Sequence, residues 1–91
     1  MEFNNLDITI KDYIGLIEKG IGVIVTIKYE EAIFEGLFWY DNNHHLLTID
    51  DSLEEKIGPI KQMETYASML EFLKNSVPPF DELRNTLPII R

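Results

Sequence analysis

Nine consecutive residues, Ala32–Tyr40 (AIFEGLFWY), place apolar side chains on both faces of any strand they form. Ala32, Phe34, Gly36, Phe38 and Tyr40 share one face, and Ile33, Leu37 and Trp39 share the other with Glu35. One layer of helices buries only one side of a sheet. This run is therefore either covered on both sides or presents its second face to a partner. Its neighbours alternate as well. Val23, Val25, Ile27 and Tyr29 oppose Ile24, Thr26 and Lys28, a half-buried strand rich in β-branched residues. After Asp41, Asn42 and Asn43, which favour a turn, His45, Leu47 and Ile49 oppose Leu46 and Thr48 over His44–Ile49. The three runs predict an antiparallel meander. Glu30 and Glu31 suit a mirror-image two-residue turn poorly, so the first connection is expected to be wider, or the strands to pair with an offset. Gly36 marks a bulge, a close backbone approach or room for a ring.

Helices are expected on both sides of the meander. Ile10, Ile14 and Ile17 recur at helical spacing, with Tyr13 and Leu16 widening the stripe. Thr9 can cap that segment, Asp12 suits its first turn, and Gly20 stops it after Lys19, which predicts a helix over Ile10–Lys19. Before it, Phe3, Leu6 and Ile8 form an extended arm or pair at a sheet edge. Downstream, an acidic cap at Asp50 or Asp51 opens a short helix carrying Leu53 and Ile57, with Asp51 and Glu54 as a capping box. Gly58 and Pro59 end it. Ile60–Asn75 reads as the longest helix, striped by Ile60, Met63, Tyr66, Ala67, Leu70 and Leu73 and broadened by Met69 and Phe72. Pro78 and Pro79 break it. Asp81 then caps a last helix over Glu82–Leu87, and the apolar tail Ile89–Ile90 packs back on the sheet or anchors another chain. The fold class is α+β: an N-terminal helix, a three-stranded antiparallel meander, then two or three helices packed on the sheet, as one domain over residues 1–91.

Charge narrows the functional classes. Sixteen acids oppose eight bases, a net charge of -8, which disfavours direct contact with nucleic acid or an anionic membrane and favours a basic protein partner. The chain has no cysteine, an acidic N-terminus with no basic segment before an apolar one, and no apolar run long enough to span a bilayer. A cytoplasmic protein without a signal peptide is the expectation.

No catalytic motif stands out. There is no nucleophile elbow and no phosphate loop, so an enzyme is not expected, nor a cofactor. His44 and His45, the only histidines, project to opposite faces of a strand, which argues against a metal site. Glu30, Glu31 and Glu35 cluster at the first hairpin, and Asp50, Asp51, Glu54 and Glu55 at the start of the short helix. Simple succession of strands brings both groups to one end of the sheet, opposed by Lys28 and Lys56. These seven acids, with Trp39 as an aromatic anchor, are the candidate partner-binding residues. The expected function is a small acidic protein-binding module of the inhibitor, immunity or antagonist type, such as a phage or mobile-element chain carries, including the case of a nucleic-acid mimic. The alternative is a structural subunit that forms a homo-oligomer, such as a homodimer, through the second apolar face of the central strand.

Overall fold

An antiparallel meander forms the body of the protein. The computed structural model describes residues 2–3, 6–59 and 64–84. Strands follow one another in sequence and in space: β1 (Glu2–Phe3), β2 (Leu6–Ile17), β3 (Gly20–Tyr29), β4 (Ala32–Tyr40) and β5 (His45–Ile49). β1 is only two residues long and pairs with the start of β2, so four long strands carry the sheet. Three helices follow: α1 (Asp51–Ile57), α2 (Glu64–Ser76) and α3 (Phe80–Leu83).

The helix expected over Ile10–Lys19 does not form, and the sheet is not a three-stranded meander; that segment belongs to β2. The register explains the error. Ile10 pairs with Val25 but Asp12 with Ile24, and Tyr13 pairs with Val23 but Gly15 with Gly22. Lys11 and Ile14 are thus extra residues, each bulging the strand. A bulge lengthens the interval between side chains on one face from two residues to three. The core-facing residues of β2 become Leu6, Ile8, Ile10, Tyr13 and Leu16. Repeated threes imitate a helical stripe. Gly15 adopts φ 122, open to glycine and not to the Cβ-bearing residues of a helix. The intended helix end is a hairpin turn: Ile17 pairs with Gly20 across Glu18 and Lys19, at φ 48 and 68. Both signs match a mirror-image turn, and each non-glycine residue there costs about 1 kcal/mol.

The next connection also differs from expectation. Tyr29 pairs with Ala32, so Glu30 and Glu31 make a two-residue turn with Glu30 at φ 55, and the β3–β4 ladder runs without offset to Ile21 and Tyr40. β4 has no bulge at Gly36. A Cβ there would meet the Thr48 carbonyl at 2.9 Å and Val25 Cγ2 at 3.1 Å, so a neighbouring strand and a core side chain fill the space.

One face of the sheet is the core. Leu6, Ile8, Ile21, Val23, Val25, Ile27, Phe38, Tyr40, Leu47 and Ile49 are buried there beneath Leu53, Met69 and Leu73 of the helices. Phe38 stacks on Tyr40 at 5.5 Å between centroids, and the Tyr40 hydroxyl donates to the Pro78 carbonyl at 3.0 Å, tying the end of α2 to β4.

The helices conform in part. Asp50 is the cap of α1, its Oδ1 accepting from the Ser52 N–H at 2.8 Å; Asp51 lies inside the first turn, so the Asp51–Glu54 box does not form. Gly58 ends α1 at φ 91, donating its N–H to Glu54 O. Of the stripe assigned to the long helix, Leu73 is buried and Tyr66 and Leu70 are half-buried, with Met69 fully buried beside them; Ala67 is exposed. Ile60 and Met63 lie outside the described residues. α3 begins at Phe80 with Pro79 as its cap, so Asp81 sits in the first turn and caps nothing. The tail Ile89–Ile90, placed on the sheet or on another chain by the sequence reading, also lies outside the described residues.

Both sheet edges are obstructed. The Leu47 N–H and C=O point away from β4, and the Tyr66 hydroxyl takes both, accepting from the nitrogen and donating to the oxygen at 3.1 Å each. On the other side, β1 covers only Leu6 and Asp7, and the two bulges interrupt the rest of β2. Capped and bulged edges resist strand addition.

Candidate docking surfaces

The acids expected on one rim occupy two levels. β5 ends where Ile49 pairs with Gly36, four positions short of the Tyr29–Ala32 closure. At about 3.4 Å per residue this leaves Asp50 about 14 Å from the Glu30–Glu31 turn. α1 spans the gap on the core side. Its Lys56 Nζ lies 5.9 Å from the centroid of the Phe34 ring, and Lys56 lines a shallow concavity with Tyr29, Glu30, Glu31 and Ala32. The anions nearest this end are Glu30 and Glu31 on the turn, beside Lys56, and Asp51, Glu54 and Glu55 on α1. None of these five carboxylates is in an ion pair with a described residue, and all but the half-buried Glu54 are exposed.

Glu35 and Trp39 stand apart from that end. Both project from β4 to the face opposite the helices. Glu35 accepts a 2.7 Å salt bridge from Lys11, the extra residue of the first β2 bulge, reaching across β3. This hydrogen bond, with the attraction of the same carboxylate, raises the Lys11 ammonium above its ordinary value. Asp50 meets Glu35 at a second shallow concavity whose wall includes Ile24, Leu37 and Thr48.

The face around Trp39 is a surface with its own construction. Gly20, Gly22, Ile24, Leu37, Trp39 and Leu46 lie on it by register. A Cβ on Gly20 would collide with Trp39 Cε2, Cζ2 and Nε1, so the indole rests flat on that glycine. Its Nε1–H donates to the Ile17 carbonyl at 2.7 Å. A Cβ on Gly22 would lie 2.6 Å from Ile17 Cδ1 and 3.0 Å from Ile14 Cγ1, so those isoleucines fold over the same glycine row. Ile33 remains 68% exposed and Leu46 44%, the largest apolar exposures among the described residues. No described helix lies over this side.

The third cluster sits at the β4–β5 turn. Asp41 Oδ1 accepts from the N–H groups of Asn43 and His44 at 2.7 Å each, and these bonds hold its carboxyl below the ordinary carboxylate value. His44 Nδ1 is 3.6 Å from the same oxygen, while His45 turns to the core side against Phe38. The turn is held by its own hydrogen bonds and by Asn42 Nδ2, which donates to Asp81 Oδ1 of α3 at 3.5 Å. Among the described residues, no group of three or more His, Cys, Asp or Glu side chains is placed to hold a metal ion, and no helix is long and apolar enough to cross a membrane.

The sequence reading put Ile33, Leu37 and Trp39 on a second face. It missed Lys11, Ile14 and Ile17 on that face, because it placed them in a helix and not in β2. The signal available was local: Ile8, Thr9, Ile10, Tyr13, Ile14 and Ile17 are β-formers crowded around a glycine.

No protein-family model matches the chain, and no match to a curated protein or to a solved structure was found.

Proposed function

We propose that this chain is a small acidic protein-binding module that occupies a basic patch on a protein partner, as an inhibitor or immunity-type antagonist does. The observation that supports this reading is the group of five carboxylates, Glu30 and Glu31 on the turn beside Lys56 and Asp51, Glu54 and Glu55 on α1, none in an ion pair with a described residue. Charges left unpaired among the described residues are available to a partner. They accelerate encounter with a surface of opposite sign and penalise approach to an acidic one. Two of them ride on a tight hairpin turn and three on a helix packed on the sheet, so their spacing is rigid and little ordering is needed on binding.

Charge reversal tests the reading. Glu30→Lys, Glu31→Lys, Asp51→Lys and Glu55→Lys together alter exposed groups only and leave the Asp50 cap in place. The far-UV circular dichroism should stay native, and a basic protein captured by the wild-type chain from its host lysate should be lost. Wild-type capture should also weaken steeply as salt rises. Capture that survives the four substitutions would refute the proposal.

A further inference from the structure

We infer that the helix-free face is the seat of a second copy of this chain, giving a face-to-face homodimer that carries its two acidic ends outward. The inference is independent of the basic-partner reading.

Charge separates this face from the rest of the surface. Its described ionisable side chains are Asp7, Asp12, Glu35 and, at the rim, Asp50 against Lys11 and Lys28, four acids to two bases, on a chain whose net charge is -8. Glu35 and Lys11 neutralise each other at the centre, and Asp7 and Lys28 are register partners. The rest of the surplus lies on the turns and helices, away from the contact. Two copies can therefore meet here with little repulsion, whereas a strongly basic partner would find its complement elsewhere.

Shape agrees. Four strands about 4.8 Å apart give a width near 19 Å, and nine residues of β4 at about 3.4 Å give a length near 30 Å, a footprint of about 570 Å² in projection. Side-chain relief raises the accessible area above the projection, toward the roughly 800 Å² per partner of a standard interface. Two such sheets stack about 10 Å apart with strands turned by about 30°. The face is also set in advance. The Trp39 indole is fixed by its bond to the Ile17 carbonyl and by the flat seat on Gly20, so its side chain has little freedom left to lose. Leu46 supplies an exposed apolar contact beside it on β5, and Ile33 another at the far end of β4.

Self-association through the described sheet edges is obstructed. Addition of a strand to β5 meets the Tyr66 hydroxyl already bound to both outward groups of Leu47, and addition to β2 meets two bulges.

Sedimentation equilibrium of the full chain across the micromolar range tests this directly. The expected mass is twice 10.6 kDa. Ile33→Lys with Leu46→Lys, at two exposed positions, should weaken association at least ~10-fold, with unchanged circular dichroism and melting of the monomer. The rim reversal of Glu30, Glu31, Asp51 and Glu55 should leave the dimer intact, which separates this inference from the partner proposal. Three results would overturn it: a monomer at every concentration, a dimer indifferent to the double substitution, or a monomer whose Trp39 is shielded from acrylamide, which would place another segment of the chain on the face.

Discussion

Removal of one oxygen atom, Tyr66→Phe, probes how α2 holds the sheet edge. The Tyr66 hydroxyl makes two hydrogen bonds to Leu47, both at 3.1 Å and both partly buried. Phenylalanine keeps the ring, so no cavity opens and apolar burial is preserved. The loss is confined to the two bonds, each contributing about 1 kcal/mol net, for a total near 2 kcal/mol. A domain of this size shifts by about 4–8 °C per kcal/mol, so the melting temperature should fall by roughly 8–16 °C. The effect has an address, which a global melt lacks. Exchange of the Leu47 amide hydrogen should accelerate by about 30-fold through local opening, since 1.4 kcal/mol is a factor of ten. Urea denaturation followed by circular dichroism, with amide exchange followed by NMR, measures both. A stability change below ~0.5 kcal/mol together with unaltered Leu47 exchange would refute the reasoning, because water would then replace the hydroxyl at no cost.

Gly20→Ala should drive the indole of Trp39 off its seat, break the bond to Ile17 and cost about 1–3 kcal/mol, as overpacking does. Thermal melting and tryptophan emission report it, and native values of both would contradict the contact. Burial first, and then the neighbouring Tyr13, pushes the Tyr40 hydroxyl up from 10.0 to about 12. Because the folded value exceeds the unfolded one, the stabilisation from keeping this group neutral is complete below pH 10 and disappears as the pH rises towards 12. Tyrosinate absorbance of the native chain compared with Tyr40→Phe measures it; a Tyr40 ionising at the ordinary tyrosine value would be the contrary outcome.

Local rules carried the reading furthest where strands are regular. In β3, β4 and β5 the period of two holds without interruption, so the residues of Val23–Tyr29, Ala32–Tyr40 and His45–Ile49 alternate between faces as the sequence predicts. Asp50 and Gly58 bracket α1 for reasons contained in their own side chains, a carboxylate to accept an N–H and a missing Cβ to allow positive φ. The apolar second face of Ala32–Tyr40 was legible for the same cause, and no described helix covers it.

Tertiary pairing alone decided the N-terminal third. A bulge is a relation between two strands, and nothing in the residues 10–17 taken singly says which of them will have no partner on β3. Lys11 and Ile14 became the extra residues, the apolar interval stretched to three, and a strand acquired the period of a helix. The acidic end followed the same logic. The sequence placed Asp50 and Glu30 at a common end, but the length of β5 against β4 set the distance between them, and the path of α1 brought Lys56 among the carboxylates. Side-chain parity is written in the chain because it depends on the backbone of one strand; register, edge closure and the neighbours of a charge belong to pairs of elements, and only the folded sheet fixes those.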